Sequence, residues 1–250
     1  MTTAPGPILI IESTARGDDM KTLLAGRPVI ITLDGPAGTG KSSVARSLAK
    51  RLGLDFLDTG AMYRAAAVAA MRRGLRPDQA AEVVAAAIEA DIHFDWSKDP
   101  PSIVVDRTPV DDLIRRPEVT SVVSPIAAIG DLRRLMVSRQ REIAKNHRRL
   151  VSEGRDQGSV VFPSADVKFY LEADAAVRAR RRADQLLTMN QPADSDRIRR
   201  DIEERDQRDS TRADGPLICP PDAVRIDTSS LSFERVVDRL EDEVRTRLVR

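Results

Sequence analysis

One stretch, residues 35–42, limits what this chain can fold into more than any other, because it matches the pattern G-x-x-x-x-G-K-[ST] at every required position. A continuous apolar run, Val29–Leu33, comes directly before it and suits a strand that is buried on both faces of a sheet. Apolar residues at helical spacing follow it until Gly53, where a helix would end. The order strand, glycine-rich loop, helix predicts a loop that wraps around phosphate groups.

The residue types in this loop match the chemistry of a nucleotide's phosphates. Glycines let backbone N–H groups turn inward around phosphate oxygens, and the helix that begins near Lys41 directs its positive dipole end at them. The Lys41 ammonium can reach the β- and γ-phosphates, the Ser42 hydroxyl can bind Mg²⁺, and Ser43 lies beside it. We predict that a nucleotide binds along the whole stretch, which comprises Gly35, Pro36, Ala37, Gly38, Thr39, Gly40, Lys41, Ser42 and Ser43.

Strands alternate with helices along the rest of the chain, which predicts an α/β fold with a mostly parallel central sheet. Further strands are expected at 55–57, 150–152, 167–171 and 223–226, and helices at 59–73, 78–90, 131–147, 174–187 and 195–210. Residues 92–117 alternate in short strand-like pieces and predict a small β-rich insertion. Ser232 is expected to cap a last helix with one apolar face, formed by Phe233, Val236, Val237, Leu240 and Val244.

Composition excludes several classes of function. Forty Lys and Arg residues nearly cancel 39 Asp and Glu residues, so no overall positive field favours nucleic acid as a partner. With one cysteine, Cys219, and two histidines, the chain can form neither an intrachain disulfide nor a cysteine zinc cluster. No apolar run near the start is long enough for a membrane span, and we expect a cytoplasmic protein. Residues 1–26 show no useful periodicity and are expected to be a poorly ordered extension of a domain at 27–250.

Four further stretches carry a resemblance to a known family: Leu57–Arg64, Ser124–Arg141, Glu153–Pro163 and Glu204–Arg212. In their order and spacing they resemble bacterial cytidylate kinases, members of the nucleoside monophosphate kinase group, from about Pro28 to the C-terminus. The resemblance implies a Mg²⁺-dependent transfer of a phosphoryl group from ATP to CMP, and also to dCMP. It implies the three-layer P-loop kinase fold, with an acceptor-binding insertion at about 75–125 and a helical lid at about 183–205. Members of this group are often monomers, which we expect here.

The resemblance also implies roles for individual residues. It places Arg64, Arg155 and Arg212 on the acceptor phosphate, and Arg205 and Asp209 on the ribose hydroxyls. Guanidinium forks suit a phosphate because they donate two parallel hydrogen bonds. The remaining substrate residues would be Thr59 and Tyr63 near the phosphate, and Ser124, Arg133 and Asp156 at the base. The catalytic set would be Lys41, Arg155, Arg178, Arg182 and Arg212.

Base recognition can be argued from hydrogen bonding if Asp156 faces the base. A carboxylate accepts from the N4 amino group of cytosine, and the Arg133 guanidinium donates to N3 or O2. Uracil has an oxygen acceptor where cytosine has that amino group, so an aspartate there favours CMP over UMP. At the phosphates, Glu153 lies at the end of an apolar strand and is the best candidate for binding Mg²⁺ through water, the alternative being a charge that caps the next turn.

The residues by themselves leave other interpretations open. Arg205, Asp209 and Arg212 share one helical face and could form an ordinary surface salt-bridge stripe. Arg155 and Asp156 could be a local ion pair. At the level of function, the alternatives are a P-loop kinase for another nucleotide or metabolite, and a nucleotide-binding regulator without catalysis.

Overall fold

The computed structural model describes residues 26–188 and 191–248, together with Thr22 and Leu24. Most of the predicted N-terminal extension therefore lies outside the described residues. Leu24, at its end, is 1% exposed and packs in the apolar core that contains Val29 and Ile31.

Five parallel strands form the main sheet, in the spatial order β2-β6-β1-β7-β8. They are β1 (Val29–Asp34), β2 (Asp55–Asp58), β6 (Arg149–Glu153), β7 (Val167–Glu172) and β8 (Val224–Asp227). A second, antiparallel sheet consists of β3 (Ile92–Asp95), β4 (Ser102–Val105) and β5 (Thr108–Pro109). The helices are α1 (Lys41–Leu52), α2 (Thr59–Arg72), α3 (Ala80–Glu89), α4 (Pro117–Ala127), α5 (Gly130–Asn146), α6 (Ala175–Thr188), α7 (Ser195–Thr211) and α8 (Phe233–Leu248).

Successive residues of the strands point to opposite faces of the main sheet, and each face is covered by helices. In β6, Leu150 packs with α2, α4 and α5, whereas Val151 packs with α1 and α8. A third, small apolar cluster joins α6 to α7. This three-layer α/β arrangement confirms the predicted fold, and the predicted β-rich insertion is the small antiparallel sheet.

Two expectations were wrong in detail. Helix α4 was not predicted, since no element was assigned between the strand-like pieces at 92–117 and the helix at 131–147. Pro117 begins the helix, where no N–H is needed, and Pro125 lies within its last turn. Phe233 was expected on the buried face of α8, but it is 44% exposed at the first turn, while Val236 and Val237 are buried.

The edge of the main sheet where the parallel strands end positions the site. In open α/β sheets, ligands bind outside the carboxyl ends of the strands. The phosphate loop follows β1 at this edge. Gly154, the first residue after β6, donates its amide to the carbonyl of Leu33, which lies one residue before the end of β1. Gly35 starts the loop with φ 145° and lies so close to β7 that a Cβ on it would sit 2.1 Å from the Leu171 carbonyl oxygen.

This close approach predicts that Gly35→Ala destabilises the fold by about 3 kcal/mol or more, because the new methyl group has no room against backbone. Gly74→Ala is the matched control. Gly74 also has a positive φ, 68°, but a Cβ on it would meet nothing within 4 Å, so it should lose only about 1 kcal/mol. Urea unfolding of both variants measures the difference, and equal losses would contradict the steric explanation.

Candidate active site

The phosphate loop is closed around its own lysine. Gly38 and Gly40 adopt left-handed φ values of 80° and 87°, which let the backbone turn around the Lys41 side chain. Lys41 Nζ donates to the Pro36 carbonyl at 2.6 Å and to Thr39 Oγ1 at 3.3 Å, and the lysine is buried. The cation thus lies inside the curve of the loop, where the predicted phosphates would bind.

Burial shifts the pKa values of Lys41 and of Glu153, the last residue of β6, toward neutral pH. Burial, and next the charge of Arg155, lower the pKa of Lys41 to about 7, although Glu153 opposes them. Burial raises the pKa of Glu153 to about 7; the Asp58 carboxylate adds to this, while Lys41 and Ser42 oppose it. Ser42 Oγ donates to Glu153 Oε1 at 2.8 Å. A hydroxyl and a carboxylate side by side are oxygen ligands that suit Mg²⁺, so the residues fit the ion that the sequence predicts.

Asp34 belongs to the site although the sequence analysis did not select it. The last residue of β1, it accepts from the amides of Gln157 at 2.8 Å and Gly158 at 2.7 Å. Burial raises its pKa to about 6 against the effect of these two hydrogen bonds. Asp34 therefore fixes the segment after β6, which carries Arg155 and Asp156, beside the phosphate loop. An acidic residue directly before the first loop glycine was the available signal.

On the opposite side of the cleft, three predicted arginines surround one carboxylate. Arg155 Nε donates to Asp209 Oδ2 at 3.0 Å, while Arg212 Nη1 and Arg205 Nε lie 3.6 and 3.9 Å from Asp209 oxygens. Burial would raise the pKa of Asp209, but these cations outweigh it and lower that pKa. The helical spacing of 205, 209 and 212 therefore forms part of a buried cluster and not a surface stripe.

Arg64 and Lys41 lie near the same cluster. Burial lowers the pKa of Arg64, and the charges of Arg182 and Arg155 lower it further. Burial lowers the pKa of Arg205 to about 9, with Arg155 as the next cause, and Arg155 and Arg205 both act on Lys41. These effects indicate that Arg64, Arg155, Arg182 and Arg205, from four separate parts of the chain, lie close to one another, and that Arg155 and Arg205 lie close to Lys41 of the phosphate loop.

The residues predicted to read the base form a second group, and all three are buried. Arg133 and Asp156 make a buried ion pair, and the Arg133 guanidinium lies 5.4 Å from the centre of the Tyr63 ring. Ser124 of α4 is buried, and burial raises the pKa of Tyr63 to about 12. Gly215 closes over the pair, since a Cβ on it would meet Asp156 Oδ2 at 2.3 Å.

Several polar atoms of the predicted substrate residues are buried without a hydrogen-bond partner among the described residues. They are Tyr63 Oη, Ser124 Oγ, Arg133 Nε, Arg205 Nε and Arg212 Nη2. Proteins seldom bury polar groups unpaired, because each one costs free energy unless a ligand or water pairs with it. Five predicted substrate residues thus have hydrogen-bonding capacity in reserve.

Other predicted residues already have protein partners. Thr59 is buried and its hydroxyl donates to the Glu153 carbonyl at 2.7 Å. Arg178 Nε donates to the Ala173 carbonyl at 2.9 Å and Nη1 to the Ala37 carbonyl at 3.1 Å, and Arg178 also pairs with Asp206. Arg182 Nη1 donates to Gln185 Oε1 at 2.7 Å. Ser43 is exposed on the first turn of α1.

Asp206 is a second residue that sequence reasoning missed. Its Oδ1 accepts from the amide of Ala37 in the phosphate loop at 3.1 Å. It lies within the stretch Glu204–Arg212, yet nothing in the pattern distinguishes it from the other charged residues there.

Within residues 26–188 and 191–248, no group of three or more His, Cys, Asp or Glu side chains is arranged to hold a metal ion. Over the same part of the chain, no helix is both long and apolar enough to cross a membrane.

Comparison with known proteins gives one consistent family. A family model described as "Cytidylate kinase" matches residues 31–246. Proteins named cytidylate kinase from Nocardia farcinica and Azotobacter vinelandii are 44% and 42% identical to this chain, covering 85% and 88% of it and 92% and 97% of their own lengths. A solved shikimate kinase from Bacteroides thetaiotaomicron aligns with 86% of this chain and 98% of its own, at 16% identity and a TM-score of 0.43, too distant to bear on function.

The raised pKa of Glu153 predicts how stability depends on pH. In the folded chain Glu153 keeps its proton up to about pH 7, whereas an unfolded glutamate loses it near 4.5. The contribution of this group to stability is therefore complete below pH 4.5 and is lost as pH rises through 7. Over this pH range the free energy of unfolding of the wild type should fall by up to ~3 kcal/mol more than that of Glu153→Gln, which keeps an oxygen for Ser42. Guanidinium unfolding of both proteins between these limits checks this, and parallel curves would count against it.

Proposed function

The chain belongs to the cytidylate kinase family and is an ATP-dependent kinase that phosphorylates CMP; we propose that it holds the two nucleotides in the cleft between Lys41 and the arginines around Asp209. One observation carries this arrangement: five buried polar groups on the acceptor side have no partner among the described residues. A nucleoside monophosphate offers an anion, two ribose hydroxyls and a polar base edge, and so could pair with all of them.

On the donor side, the loop amides and Lys41 would bind the β- and γ-phosphates of ATP. Lys41 would exchange its contact with the Pro36 carbonyl for phosphate oxygens, which restore the charged form of the lysine. Ser42, with Glu153 behind it through water, would hold Mg²⁺. When bound, Mg²⁺ supplies positive charge that neutralises the phosphate oxygens.

On the acceptor side, Arg64, Arg155 and Arg212 would grip the CMP phosphate. A phosphate oxygen of CMP attacks the γ-phosphorus as the bond to the β–γ bridging oxygen breaks, giving CDP and ADP. The chain needs to do little covalent chemistry here, so positioning and charge stabilisation supply most of the catalysis. Arg155 suits a central role because it lies close enough to affect both Lys41 and Asp209.

We assign the ribose hydroxyls to Arg205 and Asp209 and the base to Ser124, Arg133 and Asp156. Arg133 orients the Asp156 carboxylate, whose remaining acceptor capacity suits the cytosine N4 amino group. Tyr63 and Thr59 support the acceptor end, Tyr63 through its unpaired hydroxyl and Thr59 by holding Glu153 in place. The deoxyribose of dCMP would keep the phosphate and base contacts, so we propose dCMP as a second acceptor.

The proposed lid, at about 183–205, lies within the hairpin formed by α6 and α7. Closing over ATP would exclude water and so limit hydrolysis. Arg182, whose charge already acts on Arg64, could turn from Gln185 toward the transferring phosphoryl group. Arg178 has its donors on Ala37, Ala173 and Asp206, so we propose that it acts by shaping the phosphate loop.

Family membership does not favour the alternative of a non-catalytic regulator, which would have no use for a second phosphate clamp. We further propose that the enzyme acts as a monomer, because every group assigned to the two substrates comes from one chain. A cytoplasmic location is a separate proposal.

Lys41→Ala should lower kcat by at least about 10²-fold, because it removes a charge that stabilises the transition state. Lys50→Ala, an exposed lysine of the same helix, is the control and should leave kcat unchanged. Coupled detection of ADP formed from ATP and CMP gives both values. Near-normal turnover in Lys41→Ala would refute the assigned role.

Asp156→Asn should lower kcat/KM for CMP by about 10- to 100-fold, the value of a buried hydrogen bond to a charged group, while the KM for ATP stays nearly constant. UMP should lose less than CMP or even gain, because an amide can donate to its O4. The same assay over CMP, dCMP, UMP and AMP measures this, with the exposed Asp131→Asn as control. An equal loss for every acceptor would show that Asp156 does not read the base.

A further inference from the structure

The hairpin α6–α7 holds one residue of the phosphate loop, Ala37, at both of its backbone groups. The Ala37 amide donates to Asp206 Oδ1 at 3.1 Å, and the Ala37 carbonyl accepts from Arg178 Nη1 at 3.1 Å. Asp206 and Arg178 also form an ion pair with each other. Gly38 permits this contact, because a Cβ on it would already lie 3.1 Å from Arg178 Cβ. The conformation of the loop therefore depends on where the hairpin lies.

Helix α7 also contacts the acceptor side of the cleft. Asp206 lies between Arg205 and Asp209 in sequence, and those two residues belong to the cation cluster that also contains Arg155. The Asp206 side chain is 20% exposed, whereas Asp209 is 8% exposed. One short segment of one helix thus contacts the proposed acceptor site and the donor loop together.

We call the position in which the hairpin contacts Ala37 its docked position. The hairpin can leave this position as a unit because it has its own apolar cluster. Ala179 and Ala183 of α6 pack with Ile198 and Ile202 of α7, apart from the two cores that flank the main sheet. What holds the docked position is therefore largely polar: the contacts to Ala37, the ion pair of Asp209 with Arg155, and two hydrogen bonds from Arg181 of α6 to Thr228.

Charge opposes the docked position until an acceptor is bound. Docking brings Arg205 close to Arg155 and Arg64. Among the described residues, Asp209 lies within ion-pair distance of Arg155 and Arg205, and Asp206 adds a weaker counter-charge. A CMP phosphate would add negative charge to this cluster and relieve the repulsion. The acceptor should therefore bind more tightly when the hairpin is docked, and its binding should shift the hairpin toward that position.

We propose that Asp206 is a positioning residue that couples the two substrate sites, so that CMP binding docks α7 and the docked Asp206 holds Ala37 in the conformation that binds ATP. This inference rests on the proposed function, since it takes CMP as the acceptor. It predicts positive and reciprocal cooperativity: ATP must tighten CMP binding by the same factor as CMP tightens ATP binding.

Titration calorimetry with Mg²⁺ and a non-hydrolysable ATP analogue, with and without saturating CMP, measures the coupling factor directly. In the wild type, CMP should tighten analogue binding by at least about fivefold. In Asp206→Ala this factor should fall to about one, because the Ala37 amide loses its carboxylate partner. Asp201→Ala, an exposed position on the same helix, should keep the wild-type factor. If Asp206→Ala does not fold, Asp206→Asn keeps an oxygen for the Ala37 amide but loses the ion pair with Arg178, so its factor should fall below the wild-type value without reaching one.

Three results would overturn the inference alone: a factor of one in the wild type, a wild-type factor in folded Asp206 variants, or tighter analogue binding by Asp206→Ala without CMP. The last would mean that the carboxylate merely occupies a phosphate position. A wild type that binds no CMP at all would instead overturn the proposed acceptor site, and this inference with it.

Discussion

The structure depends on a local excess of buried positive charge, much of it gathered around the carboxylate of Asp209. Asp209 pairs with Arg155 and lies close to Arg205 and Arg212, while Lys41 is buried across the cleft. Burying several cations is unfavourable unless an anion accompanies them, and burial lowers the pKa of both Lys41 and Arg205. The cleft is therefore most stable with phosphates in it, which is the property that a kinase for two phosphorylated substrates requires.

The main sheet makes this charge arrangement possible. Parallel strands end at one edge, so β1 delivers the phosphate loop and β6 delivers Glu153 and Arg155 beside it. Asp34 binds the segment after β6 through two backbone amides and so sets the distance between the donor loop and the acceptor arginines. Helices α4, α5 and α7 then add, from outside the sheet, residues that we propose to bind the base and the ribose.

Local patterns predicted the elements well, because the phosphate loop and the alternation of strands and helices are written in neighbouring residues. They failed at α4, where prolines at the start and in the last turn of a helix resemble breaks. Residue chemistry alone could not distinguish the Arg205–Asp209–Arg212 face from a surface stripe; the family resemblance made that distinction. Asp206 was missed because its partner, Ala37, is 169 residues away in sequence, and Asp34 because its partners lie 123 and 124 residues away.

The central claim is that two anion sites face each other closely enough to share a reacting phosphoryl group. The most direct measurement is the affinity of a single compound that joins adenosine to cytidine through five phosphates. It should bind one molecule per chain, exclude both the ATP analogue and CMP, and bind at least about 10²-fold tighter than the analogue alone, because the second site then binds within the same molecule. Binding no tighter than the analogue, or binding that leaves CMP free to bind as well, would contradict the account.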